Sequence, residues 1–157
     1  MRVLVVSDTH GDLFALRQAL LCQPKAEVVI HLGDGYDEWQ QVKSDFPEKA
    51  FYGVRGNNDW GCREVPLDDE IYLLNKHIVY THGHTHYVKY GLYDLITDAR
   101  SKKADVLLYG HTHVPDCRYE DGLYIVNPGS LHGSFGTFAI LDITHQGVVP
   151  TILHLHG

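Results

Sequence analysis

Five short apolar runs, each ending in residues suited to hold a metal, set the strongest constraint on this chain. Val3–Val6 leads into Ser7-Asp8-Thr9-His10, Val28–Leu32 into Gly33-Asp34, and Phe51–Val54 towards Gly56-Asn57-Asn58-Asp59. Ile78–Tyr80 leads into Thr81-His82-Gly83-His84, and Val106–Tyr109 into Gly110-His111-Thr112-His113. Continuous apolar runs of this length read as strands covered on both faces. Their polar followers then fall at the carboxyl ends of the strands, where ligand sites of open α/β sheets gather.

Helical patterns lie between the strands. Leu13, Leu16 and Leu20 form a stripe just after Asp12, a side chain suited to an N-cap. A more polar helix is expected over Tyr36–Phe46. A third stripe, Leu92, Leu95, Ile96 and Ala99, carries Arg100, Lys102 and Lys103 near its end. The first half therefore reads β-α-β-α-β, with parallel strands.

The second half adds strands at Ile71–Leu74, His77–Tyr80, Leu123–Val126, Thr137–Ile143 and Thr151–Leu155. Asn75-Lys76 is placed at a hairpin turn, and Asn127-Pro128-Gly129-Ser130 reads as a second turn. So many strands fit two packed sheets with flanking helices better than one flat sheet. The expectation is an α/β-layered fold in one domain over residues 1–157.

The seven donors at the strand ends are Asp8, His10, Asp34, Asn57, His82, His111 and His113. Brought together, they exceed what one tetrahedral ion needs and suit two divalent ions. Asp8 and His10 are two apart, as are His111 and His113, so on extended chain each pair faces one pocket. The formal net charge is -7, with 12 histidines and no run of Lys or Arg. That balance argues against a long nucleic-acid partner, while bound cations would let an acidic chain take a phosphate. No apolar run is long enough to span a membrane. Cys22, Cys62 and Cys117 lack metal or disulfide spacing and read as free thiols, so a cytoplasmic setting is expected.

The remaining histidines divide by context. His31 reads as a packed strand residue and His77 as an exposed turn residue. His86 and His132 each follow a site-bearing block, within possible reach of substrate. His154 and His156 alternate in the last strand and would chelate metal from solution, and Tyr36 and Asp37 are expected at the rim of the site.

The ordered blocks D-x-H, GD, GNxD, HGH and GHTH, from Val3 to about Ile143, resemble the calcineurin-like metallophosphoesterase superfamily. SDTHG, THGH, GHTH and NPGS look like its small bacterial and archaeal phosphodiesterase branch. The resemblance implies a four-layer α-β-β-α sandwich of two mixed sheets. It implies that Asp8, His10 and His113 hold one metal, that Asp34 bridges, and that Asn57, His82 and His111 complete the second site. Two divalent ions roughly 3.5–4 Å apart would activate a hydroxide for in-line attack on the phosphorus of a small phosphate ester. Manganese is favoured, with iron, zinc and nickel as alternatives.

Many superfamily members carry a histidine where this chain has Asn58, and that histidine protonates the leaving group. Asn58 can hydrogen-bond a phosphoryl oxygen but cannot serve as an acid. Asn58, Asp59 and His84 are the catalytic candidates, with His84 as substitute phosphate ligand or acid. One branch of the superfamily keeps the fold, loses efficient metal catalysis and works as a scaffold in membrane-coat assembly. That branch substitutes ligand positions, whereas all seven match here. A nuclease subunit is disfavoured by the missing basic stripe.

Overall fold

The computed structural model describes residues 1–155. Ten strands among these residues form two mixed five-stranded sheets. One sheet runs β10 (Gly147–His154), β9 (Thr137–Thr144), β1 (Arg2–Val6), β2 (Val28–His31), β3 (Ala50–Gly53). The other runs β4 (Asp68–Leu73), β5 (Lys76–Thr81), β6 (Val106–Leu108), β8 (Leu123–Asn127), β7 (Asp116–Glu120). Strands β1, β2 and β3 are parallel, with β3 at the sheet edge and antiparallel β9 and β10 on the β1 side. Parallel β5, β6 and β8 are flanked on both sides, by antiparallel β4 and β7.

Alternation within wholly apolar strands explains the layering. Val3 and Val5 of β1 join Ile78, Tyr80, Val106 and Leu108 in a core between the sheets. Leu4 and Val6 point the other way, onto Leu16, Ala19 and Leu20 of α1 (Leu13–Cys22) and Val42 of α2 (Tyr36–Lys43). Leu107 of β6 likewise turns outward onto Leu95 and Ala99 of α3 (Tyr93–Ser101). The result is the expected α-β-β-α sandwich, with both faces of each inner strand withdrawn from water. Asp12 caps α1 by accepting the Ala15 N–H at 2.9 Å.

Several local expectations change. The hairpin turn is Leu74-Asn75, one residue earlier than expected, since Leu73 pairs with Lys76 and both turn residues have positive φ. His77 is therefore a strand residue, and it is buried rather than exposed. It stacks on Tyr72 at 4.3 Å and lies 2.8 Å from Glu70. Helix α2 stops at Lys43, short of Phe46, because Pro47 disfavours helical backbone before it. Strand β7, with sequence DCRYE, was not expected. It is an edge strand whose exposed charges hide a strand pattern and discourage pairing with other chains. His154 ends β10, and His156 lies outside the described residues.

Leu108 sits at the centre of the inter-sheet core with no exposed surface. Leu108→Ala is expected to cost about 2–5 kcal/mol, read from the urea midpoint at unchanged slope.

Candidate metal centre

The parallel strands of both sheets end on one side of the sandwich, and their loops are stitched together there by backbone. The Asp8 N–H donates to Gly33 O and the His10 N–H to Asp34 O, both at 2.9 Å, which joins the β1 loop to the β2 loop. The Gly110 N–H donates to His82 O at 3.0 Å and joins the β6 loop to the β5 loop. The two sheets meet where the His111 N–H donates to Asp8 Oδ2 at 3.1 Å.

Two groups of donors converge at this seam. Asp8, His10 and His113 form one, and Asp34, His82 and His111 the other. In the first, the Nε2 atoms of His10 and His113 lie 3.2 Å apart, and His113 Nε2 lies 3.2 Å from Asp8 Oδ1. In the second, His82 Nε2 is 3.1 Å from His111 Nδ1, 3.4 Å from Asp34 Oδ2 and 3.0 Å from Asn57 Oδ1. The groups adjoin, since His10 Nε2 lies 3.8 Å from Asp34 Oδ2 and His82 Nε2 3.7 Å from Asp8 Oδ1.

The donors fit divalent ions. Ligands held about 2.0–2.2 Å from one ion stand roughly 3–3.5 Å from each other, the spacing found in both groups. Asp8 is wholly buried. Its Oδ2 accepts from the Ser7 hydroxyl at 2.5 Å and from the His111 N–H, while its buried Oδ1 has no hydrogen-bond partner and faces the imidazoles. An orphaned buried carboxylate oxygen is costly unless a cation meets it. The His82 ring donates from Nδ1 to Leu32 O at 2.7 Å, which leaves the Nε2 lone pair for a metal. Burial, aided by His82 and Lys89, pushes His111 down to about 4, so its ring is in the neutral form that metals bind.

His111 and His113 do not sit on extended chain, as their spacing implied. Strand β6 stops at Leu108, and both have positive φ, 71° and 64°. Asp8, His10 and Asp34 also have positive φ, 54°, 46° and 59°. Left-handed backbone in side-chain-bearing residues persists only where the surroundings enforce it, and such residues cluster at functional sites. These turns send His113 to the Asp8 group and His111 to the Asp34 group.

The other named residues separate clearly. The His84 ring centre lies 5.4 Å from that of His82 and 6.2 Å from that of His111. Burial first, and His82 second, hold His84 below the ordinary imidazole range. His132 lies at the rim, with its ring 6.4 Å from that of His10. His86 points elsewhere, 3.1 Å from Asp68. A cavity of about 290 Å³ opens beside the centre, lined by His10, Asp34, Tyr36, Asp37, Asn58 and Asp59 among others. His31 is packed in β2 as expected.

An outer layer holds these donors in place. Both Asp59 oxygens are taken by four backbone N–H groups: Asp34 and Gly56 at 2.7 Å, Gly35 and Tyr36 at 3.1 Å. Asn58 donates from its backbone to Asp34 Oδ1 at 2.8 Å and from its side chain to Oδ2 at 3.0 Å. Sequence reasoning missed Ser7, Asn127 and Ser130. The Ser130 hydroxyl donates to Asp8 O at 2.7 Å, and the Asn127 amide donates to Thr112 Oγ1 at 3.0 Å. The NPGS signal that held two of them was read as a turn and as a family motif, with no contact assigned to either residue. Gly56 packs so tightly that a Cβ there would overlap the Asp34 carboxylate and backbone nitrogen. Gly56→Ala is expected to cost about 1–3 kcal/mol and to lower divalent-metal affinity, both checked by comparing melting with and without metal.

Comparison with known proteins places this geometry. Residues 1–146 match the calcineurin-like phosphoesterase superfamily domain. A probable metallophosphoesterase of Mycoplasma pneumoniae is 34% identical over 135 residues, covering 83% of this chain and 79% of the relative. Vacuolar protein sorting-associated protein 29 of Schizosaccharomyces pombe is 31% identical over 163 residues, covering 98% and 83%. Among solved structures, an uncharacterised Streptococcus pneumoniae protein described as a predicted phosphoesterase superposes with a TM-score of 0.80 at 27% identity, covering 98% of this chain and 89% of that one. A novel archaeal phosphodiesterase gives 0.78 at 25% identity, covering 98% and 100%. The chain belongs to the calcineurin-like phosphoesterase superfamily.

Proposed function

We propose that this protein is a metal-dependent phosphodiesterase whose centre holds two divalent ions, with manganese favoured. The observation that carries the reading is the fully buried Asp8 with one unpartnered oxygen among the imidazoles of two adjoining donor groups. Asp8, His10 and His113 would hold one ion, Asn57, His82 and His111 the other, and Asp34 would reach both. When bound, such ions supply Lewis acidity and an activated hydroxide for in-line attack at phosphorus.

The chain's own residues orient the ester. Asn58, now hydrogen-bonded to Asp34, is the amide placed to donate to a phosphoryl oxygen, and no proton can come from it to the leaving group. His84, kept neutral by burial, is a phosphate ligand by its N–H rather than a strong acid. Asp59 takes part through position: its four amide bonds fix the loops that carry Asp34 and Asn57. The reading extends to a single catalytic domain over residues 1–157, a small phosphate-ester substrate, and a cytoplasmic setting consistent with three free cysteines. No helix among the described residues is long and apolar enough to cross a membrane.

Hydrolysis of bis(p-nitrophenyl) phosphate by metal-stripped protein is expected to return with manganese. Asp34→Asn is expected to lower it beyond the roughly 10–100-fold that losing an outer-shell partner costs. The Schizosaccharomyces pombe relative, named for vacuolar protein sorting, favours the second reading, a binding protein without efficient catalysis. Folded protein that stays inactive with every divalent ion would establish that reading instead. Without a strong acid, rates across aryl diesters should fall steeply as the leaving-group pKa rises. A flat dependence would show that another group protonates the leaving oxygen.

A further inference from the structure

Helix α2 places a carboxylate, Glu38, in its first turn, and only 5% of the residue is exposed. No ion pair engages it among the described residues. Its Oε2 accepts from the Thr9 hydroxyl at 2.9 Å and from the Gly11 N–H. Thr9 lies between Asp8 and His10, and Gly11 follows His10, so both donors belong to the loop that carries two ligands.

The chain of bonds continues inward. Thr9 Oγ1 lies 3.1 Å from His31 Nε2. His31 Nδ1 accepts the Gly33 N–H at 3.0 Å, so its proton sits on Nε2 and is donated to Thr9. The hydrogen bonds therefore run one way, from Gly33 through His31 and Thr9 to Glu38, and they tie the Asp34 loop to the Asp8–His10 loop. Gly35 keeps the space open, since a Cβ there would overlap Thr9 Oγ1 and crowd His31 Nε2.

A buried carboxylate without a basic partner costs stability unless its hydrogen bonds repay the desolvation. The two donors to Glu38 come from a loop that needs holding, because Asp8 and His10 both take left-handed backbone. We propose that Glu38 is a positioning residue, which fixes the Asp8–His10 loop through Thr9 and Gly11 so that the Asp8, His10 and His113 group can close on a cation. This rests on the two-ion reading above. It assigns Glu38 to the Asp8, His10 and His113 group, because both of its own hydrogen bonds go to that group's loop.

The test is calorimetric titration of manganese into metal-stripped protein, with far-UV circular dichroism confirming the fold. In a His82→Ala, His111→Ala background, which removes both imidazoles of the second group and leaves Asp8, His10 and His113 intact, Glu38→Ala is expected to weaken binding by about 10–100-fold. Thr9→Val should weaken it in the same direction, and it serves if the alanine variant does not fold. Glu38→Gln keeps an oxygen for both donors and should stay within about threefold of its parent, a rescue that packing alone does not predict. In an Asp8→Asn, His113→Ala background the same Glu38→Ala change should leave the remaining affinity unaltered. Unchanged binding in the first background by a folded Glu38→Ala or Thr9→Val variant would overturn the inference, as would equal weakening in both backgrounds. If the unmodified protein takes up no divalent ion, the two-ion reading itself falls, and the inference with it.

Discussion

The centre depends on how one carboxylate divides its two oxygens. Asp8 Oδ2 is fixed by Ser7 and by the backbone of His111, so the side chain cannot rotate to satisfy Oδ1 elsewhere. Oδ1 is left buried and unpartnered, 3.2 Å from His113 Nε2 and 3.5 Å from His10 Nε2. The same bond from His111 joins the two sheets at their carboxyl ends. Closure of the sandwich and exposure of an electron pair to the donor groups are therefore one event. Folding builds the cost of the orphaned oxygen, and a bound cation would relieve it.

Strain is distributed around that point. Left-handed backbone at Asp8, His10, Asp34, His111 and His113 would each cost about 1 kcal/mol or more in a free chain. Here the turns are held by loop-to-loop backbone bonds, by the four amides gathered on Asp59, and by the Ser130 hydroxyl on Asp8 O. The rigidity lies in the second layer, and the first layer is thereby free to keep its lone pairs for a ligand.

The sequence made the inner strands legible because Val, Ile and Leu runs need cover on both sides, and the order of Asp and His at their ends made the donors legible. Edges and turns were harder. Strand β7 is half charged and gains its structure only from pairing with β8, so its pattern carries no apolar alternation. The Leu74-Asn75 turn shifted one residue because pairing, not composition, fixed the register, and His77 went into the structure with it. Asp59 was legible as an acidic residue of the site, whereas Glu38 was not singled out. What they do depends on backbone N–H groups, which every residue has and no sequence pattern marks.

The position of Asn58 ties this geometry to the choice of substrate. Its amide and its backbone N–H both grip Asp34, so it behaves here as a brace on a ligand. A histidine in that place would bring a proton, and Asn58 brings only donors. His84, the nearest alternative, is held neutral by burial. The cavity beside the centre is lined by Asp37, Glu38 and Asp59 and by no Lys or Arg. Neither a fixed positive charge nor a strong acid is thus supplied by the cavity lining. Under the proposed two-ion reading, charge neutralisation and departure of the leaving group would fall on the ions and on the ester itself, which would favour substrates whose leaving oxygen is already a stable anion.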